Sequence, residues 1–172
     1  MEEKGGYKSP PFHYRMDLKE QLTALVESKV EETGSFLVEV KVTPSKIFVF
    51  IDNLKGIQLE ECISMNRFLQ EKFEGTDVFE HHELEVSSPG MDEPLKVLKQ
   101  YLKRIGQKVT VLMKDGIRKE GVLKSATEVE IVIEEKITKK VNGKRELHTN
   151  LTSIPIDVIK ETRLLWEMKS LR

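Results

Sequence analysis

The sequence predicts an α+β fold in two parts, an α-β-β-α-β domain followed by a small five-stranded β-barrel. Three observations carry that prediction. Helical and strand periodicities alternate through the first half, then give way to short strands separated by tight turns. The sign of the charge reverses along the chain: residues 1–95 hold 10 Lys+Arg against 19 Asp+Glu, net −9, and residues 96–172 hold 18 against 10, net +8. Near that reversal, Ser88, Pro89 and Gly90 form a turn signal where one domain should end. The expected division is an N-terminal arm at residues 1–16, an α/β domain at 17–95 and a barrel domain at 96–172.

The elements follow in order. Over residues 17–33, Leu18, Leu22, Leu25, Val26 and Val30 recur at spacings of three and four and paint one helix face, and Gly34 stops the helix. Residues 36–42 are rich in β-branched side chains, with Glu39 and Lys41 at alternate, wetter positions, and predict a strand. A turn at residues 43–46 leads into the nearly continuous apolar run 47–51, which predicts a more buried partner strand. Leu59, Cys62, Ile63, Leu69 and Phe73 mark a second helix ending near Gly75, its stripe interrupted by Asn66. Residues 82–87 supply a third strand, and two helices covering one face of a three-stranded sheet is the layer solution this order favours.

Residues 96–105 carry Val97, Leu98, Tyr101, Leu102 and Ile105 at helical spacing and open the second domain. The period then changes. Residues 108–113 read as a strand, Asp115-Gly116 as a hairpin turn, and Val122-Leu123 and residues 129–133 as continuations of the sheet, with Gly121 permitting a tight bend. Asn142-Gly143 should join an arm around residues 137–141 to one around 146–148, and a last run, 158–165, follows a turn at Ile154-Pro155. Short strands, tight turns and a bending glycine describe a small barrel.

Composition narrows the classes. A chain of 172 residues, 33% charged and 38% hydrophobic, can build compact cores but has no run approaching the roughly 18 apolar residues of a membrane span. Met1 to Arg15 lacks the apolar segment of a secretion signal, and with Gly5, Gly6, Pro10 and Pro11 it reads as a loose arm. Cys62 is the only cysteine, so no intramolecular disulfide can form, and a reducing cytoplasmic setting fits.

The run Glu85-Val86-Ser87-Ser88-Pro89-Gly90-Met91-Asp92-Glu93-Pro94-Leu95 resembles the signature of the ribosome maturation factor P (RimP) family. Further matches fall in order around it at Phe50-Ile51-Asp52, Gly56-Ile57-Gln58-Leu59-Glu60-Glu61-Cys62, Ile105-Gly106-Gln107-Lys108-Val109 and Gly121-Val122-Leu123, so the resemblance spans roughly residues 17 to 165. It implies a C-terminal barrel of the Sm-like or SH3-like type. It also implies binding to the free small (30S) ribosomal subunit, support of its late assembly, and contact with the ribosomal protein near the decoding centre and with neighbouring rRNA. One departure stands out: family members often have Arg between the Asp and Pro of this corner, where this chain has Glu93, which weakens the case for the corner itself gripping RNA.

Ser87, Ser88, Pro89, Gly90 and Asp92 are the candidate partner-contact residues, and the same corner serves to join domains. Ser87 and Ser88 do not make a nucleophile elbow, because the Gly-x-Ser-x-Gly spacing is missing. Adjacent His81 and His82, read as strand residues, would point to opposite faces and could not share one ion, so no metal site is expected. Cys62 on an apolar helix face should be a small buried hydrophobe, and Trp166 and Tyr101 should pack between elements. The basic set differs. Lys114, Arg118 and Lys119 flank the first barrel hairpin and Lys136, Lys139, Lys140, Lys144 and Arg145 crowd the long one, diluted by Glu134, Glu135 and Glu146. These eight are the candidate rRNA-binding residues, since cations concentrated in one domain repel each other until a polyanion relieves them.

The acidic half lacks a Gly-x-x-Gly loop and an aromatic RNP motif, so it should face a basic ribosomal protein. The resulting expectation is a monomeric, cytoplasmic, non-enzymatic factor without cofactor, metal or membrane attachment, acting as a bivalent clamp on protein and rRNA. Sm-like barrels often form rings, but a domain appended here should block strand-edge pairing. The alternative reading is a general Sm-like RNA-binding module acting away from the ribosome.

Overall fold

The computed structural model describes residues 17–166; the expected N-terminal arm, residues 1–16, lies outside them, as do residues 167–172. The described chain divides into two compact units, one of residues 17–53 and 57–88, the other of residues 54–56 and 89–166.

The first unit opens with α1 (Leu18–Thr33). Asp17 caps it: its side chain accepts from the Glu20 amide at 2.8 Å, and the Glu20 carboxylate accepts from the Asp17 amide at 3.2 Å. Gly34 ends it in the left-handed region, φ 74°. The chain then runs into β1 (Ser35–Val42) and turns back as β2 (Lys46–Asn53), antiparallel, with a bulge between Leu37 and Glu39. A parallel third strand needs a crossover, and α2 (Leu59–Lys72) supplies it before β3 (Glu83–Ser87) pairs with β2 in the order β1-β2-β3. Between them lies one helical turn, α3 (Val78–His81), which the periodicity did not predict.

Because β2 is central, its alternation decides the layering. Ile47, Val49 and Ile51 are buried in one cluster with Leu22, Val26 and Val30 of α1 and Cys62, Met65 and Leu69 of α2, while Phe48 and Phe50 stack on each other, centroids 6.1 Å apart. Asn66 interrupts the α2 stripe because its side-chain amide donates to the Leu84 carbonyl at 3.5 Å.

The second unit begins with α4 (Leu98–Lys103), shorter than the expected 96–105; at its N-terminus the Gln100 side chain accepts from the amides of Lys96 and Val97 at 2.6 and 3.2 Å. Five strands follow: β4 (Lys108–Met113), β5 (Arg118–Ala126), β6 (Glu130–Val141), β7 (Lys144–Pro155) and β8 (Ile159–Leu164), the last preceded by a 3₁₀ turn at Ile156–Val158. They form one antiparallel sheet in the order β7-β6-β5-β4-β8. Among the described residues no ladder joins β7 to β8, so the hydrogen-bonded order is open. Its core is Tyr101, Val109, Val111, Leu123, Ile131, Ile133 and Ile154.

Gly121 is the tight point. A Cβ built there would lie 2.6 Å from the Glu134 carbonyl oxygen, so β6 can approach β5 only where no side chain stands. Sequence reading placed two separate segments, 129–133 and 137–141, where β6 is a single strand, and only residues 146–148 where β7 runs the length of its partner. The reason is local: Asn142 (φ 52°) and Gly143 (φ 77°) make the primed turn that sets the register, and the ladder propagates through polar residues without an apolar alternation to announce it.

Candidate functional site

Two surfaces hold the residues singled out by the sequence. At the corner, Ser87 closes β3 opposite Phe50, and Ser88 is exposed. Pro89 is half-buried, Gly90 and Asp92 are exposed, and the Glu93 amide donates to the Gly90 carbonyl at 3.1 Å to close a turn.

From β8, Arg163 reaches this turn. Its Nη1 donates to the Asp92 carbonyl at 2.5 Å and its Nε to Glu161 Oε1 at 3.1 Å. The guanidinium pKa is raised first by the Glu161 hydrogen bond and further by the charges of Glu161, Glu93 and Asp92; the Glu161 carboxyl is held below its usual value chiefly by the same Arg163 bond. A cation therefore serves the corner from β8, in the field of Glu93 and Asp92. Just behind, the Leu95 amide donates to the Thr162 carbonyl at 2.8 Å, and the buried Tyr101 hydroxyl donates to Thr162 Oγ1 at 2.8 Å. Sequence reasoning missed Arg163; the available signal was the polar alternation Lys160-Glu161-Thr162-Arg163, in which Thr162 turns inward and leaves its neighbours outside.

The eight candidate basic residues fall on two hairpins. Lys114 and Arg118 lie exposed at the β4–β5 hairpin, whereas Lys119 is half-buried with its ammonium 3.8 Å from Glu135. The other five sit on the β6–β7 hairpin. Pairing of β5 with β6 ends at Val122↔Glu134, so from Glu135 onward β6 is laddered to β7 alone. The remaining seven pairs, from Glu135↔Asn150 to Val141↔Lys144, form a two-stranded ribbon about 20 Å long beyond the sheet. Residues 138–150 of that ribbon are all exposed.

Residues paired across an antiparallel ladder share a face, so register assigns each cation. Lys136 (opposite Thr149), Thr138 (opposite Leu147) and Lys140 (opposite Arg145) lie on one face; Ile137 (opposite His148), Lys139 (opposite Glu146) and Val141 (opposite Lys144) lie on the other.

His81 and His82 are not strand residues, contrary to the sequence reading. His81 ends α3 with Nε2 3.5 Å from Asp77, and His82, just past it, places Nδ1 2.9 Å from the Val78 carbonyl. Helical and cap geometry, not strand alternation, sets them apart. Among the described residues no group of three or more His, Cys, Asp or Glu is placed to hold a metal ion. Cys62 is buried, and desolvation, with the nearby Glu61 charge, pushes its thiol pKa up, away from nucleophilic character. It lines a groove of about 480 Å³ with Leu59, Ile63, Asn66 and Val86, among others, between α2 and β3. Tyr101 packs as expected, but Trp166 is 54% exposed. No helix among the described residues is long and apolar enough to cross a membrane.

The family model described as the RimP N-terminal domain matches residues 25–92. A protein of Cytophaga hutchinsonii named ribosome maturation factor RimP is 35% identical over 124 residues, covering 69% of this chain and 72% of that protein. Proteins of the same name from two strains of Porphyromonas gingivalis are 29% identical over 154 residues, covering 86% of this chain and 98% of theirs. Ribosome maturation factors are not a class of enzyme. With an α/β unit ending at the Ser-Ser-Pro-Gly corner, a unit built on a five-stranded sheet after it and kinship over most of both chains, the protein belongs to the RimP family of ribosome maturation factors.

Proposed function

We propose that this protein is a cytoplasmic, monomeric factor that binds the free small ribosomal subunit and promotes its late assembly as a bivalent clamp. In this reading residues 17–95 act as an acidic domain on a basic ribosomal protein near the decoding centre, and residues 96–172 act as a basic domain on rRNA. The corner of Ser87, Ser88, Pro89, Gly90 and Asp92 belongs to the contact surface. Tethering raises the effective concentration of the second contact to about mM, so each can be weak and the factor can leave.

The observation that carries the reading is the β6–β7 ribbon, which projects past the sheet with five cations on exposed strands in the basic half of the chain. Two-stranded ribbons are marginal alone, so a partner is the simplest reason to maintain one. We read the second domain as an Sm-like barrel. Edge strands of a flat five-stranded sheet stand about 19 Å apart, yet the Ile156–Val158 turn between β7 and β8 spans at most about 14 Å, so curling of the sheet accounts for the connection. Kinship with maturation factors favours the ribosome over a general RNA-binding role elsewhere.

Depletion of the protein, followed by gradient measurement of ribosomal particles, tests this. Free small subunits should accumulate relative to assembled ribosomes and decline on restoring the wild-type chain; an unchanged ratio would overturn the proposal.

A further inference from the structure

We propose that the two faces of the β6–β7 ribbon have different jobs, and that only the face bearing Lys136, Lys140 and Arg145 grips the sugar–phosphate backbone of RNA. This deepens, and rests on, the rRNA contact proposed above.

The contrast lies in the register. On one face Lys140 stands directly opposite Arg145, like charges whose Cβ atoms are held about 5 Å apart, an arrangement that disfavours the free ribbon. Lys136 lies on the same face four residues along β6, about 13 Å from Lys140, with uncharged Thr149 opposite. The nearest acid on that side is Glu134, whose carboxylate lies 3.6 Å from Lys124. On the other face no two cations stand opposite each other: Lys139 stands opposite Glu146, which also lies 3.3 Å from His148, Glu135 takes Lys119, and Lys144 at the turn faces uncharged Val141. A free protein gains nothing from the Lys140–Arg145 juxtaposition, whereas a phosphate between the two converts a repulsion into two charge-assisted hydrogen bonds.

The rest of the cationic face fits a backbone ligand. Thr138 and Thr149 offer hydroxyls for sugar or phosphate oxygens, and Leu147 and Leu151, each 64% exposed, offer apolar contact to riboses. Thr138, Thr149, Leu147 and Leu151 lack the paired donors that identify a base, and in this arrangement Lys136, Lys140 and Arg145 are engaged by phosphate. The grip is therefore independent of base sequence.

The test uses the full chain and protein-free small-subunit rRNA, titrated between about 50 and 200 mM salt. The triple variant Lys136→Gln, Lys140→Gln, Arg145→Gln should bind at least ten-fold more weakly and lower the slope of log K against log salt by about 2 to 3. Lys139→Gln with Lys144→Gln should lower it by about 1 or less. Lys140→Glu, which gives Arg145 an opposite partner, should keep or raise the melting temperature while weakening binding, separating ligand contact from folding. Equal losses from the two sets of substitutions would overturn the assignment of faces while leaving an rRNA contact standing. Wild-type protein that binds rRNA without salt dependence would instead overturn the underlying rRNA reading. A triple variant that keeps its RNA affinity but loses the small subunit would mark the face as a protein contact, overturning the inference.

Discussion

At the scale of single residues, three side-chain positions decide local structure, and each can be tested. Gly121 faces the Glu134 carbonyl so closely that Gly121→Ala must move backbone, and it should destabilise the protein by about 1–3 kcal/mol in urea unfolding. Glu61 sits at the α2 N-terminus, where it accepts from the Gln58 amide at 2.8 Å and from the Ser35 hydroxyl at 2.6 Å. Those bonds, Ser35 first, hold its pKa below the ordinary 4.5. A depressed carboxylate contributes stability that is present above the unfolded pKa and lost as pH falls through the folded one. Glu61→Gln should therefore lower stability at neutral pH, and the difference from wild type should shrink in acid below the folded pKa, measured by denaturation at each pH. At the corner, Arg163→Ala removes the donor to the Asp92 carbonyl, so hydrogen exchange at the Glu93 amide should speed up. Gly121 was legible as a bend because a glycine inside a strand signals close approach. Arg163 was not, since nothing local links it to a turn 71 residues away.

At the scale of elements, periodicity found what hydrophobic burial organises and missed what hydrogen bonding alone extends. The α1 face, the buried β2 run and the α2 stripe all reappear as one core. The turn α3 has only four residues, too few to show a period, and β7 carries Thr149, Asn150, Thr152 and Ser153 where a strand signal needs apolar alternation. Asn142 and Gly143 were legible as a hairpin, but not that the ribbon would outrun its sheet, because strand length depends on which neighbour stops pairing first. Gly143→Ala forces a side chain into the left-handed region at φ 77° and should cost the ribbon about 1–2 kcal/mol. With no core beneath residues 138–150, the loss should appear as faster amide exchange in the ribbon while the exchange of Val109 and Ile131 amides is unaltered.

At the scale of the whole molecule, the charge reversal and the corner motif were both readable from the chain, and kinship with maturation factors gives them a setting. The candidate site was legible only as composition: eight cations in one half say that a polyanion would be welcome, but strand register is needed to divide them between faces. That division turns a charge count into a directional surface. We propose that this protein recognises an unfinished or free small subunit with both units at once. Co-sedimentation of purified full-length protein with free small subunits, immature small subunits and intact ribosomes in parallel addresses it most directly. The protein should co-migrate with free and immature small subunits and be nearly absent from intact ribosomes; equal association with all three particles, or with none, would overturn that recognition.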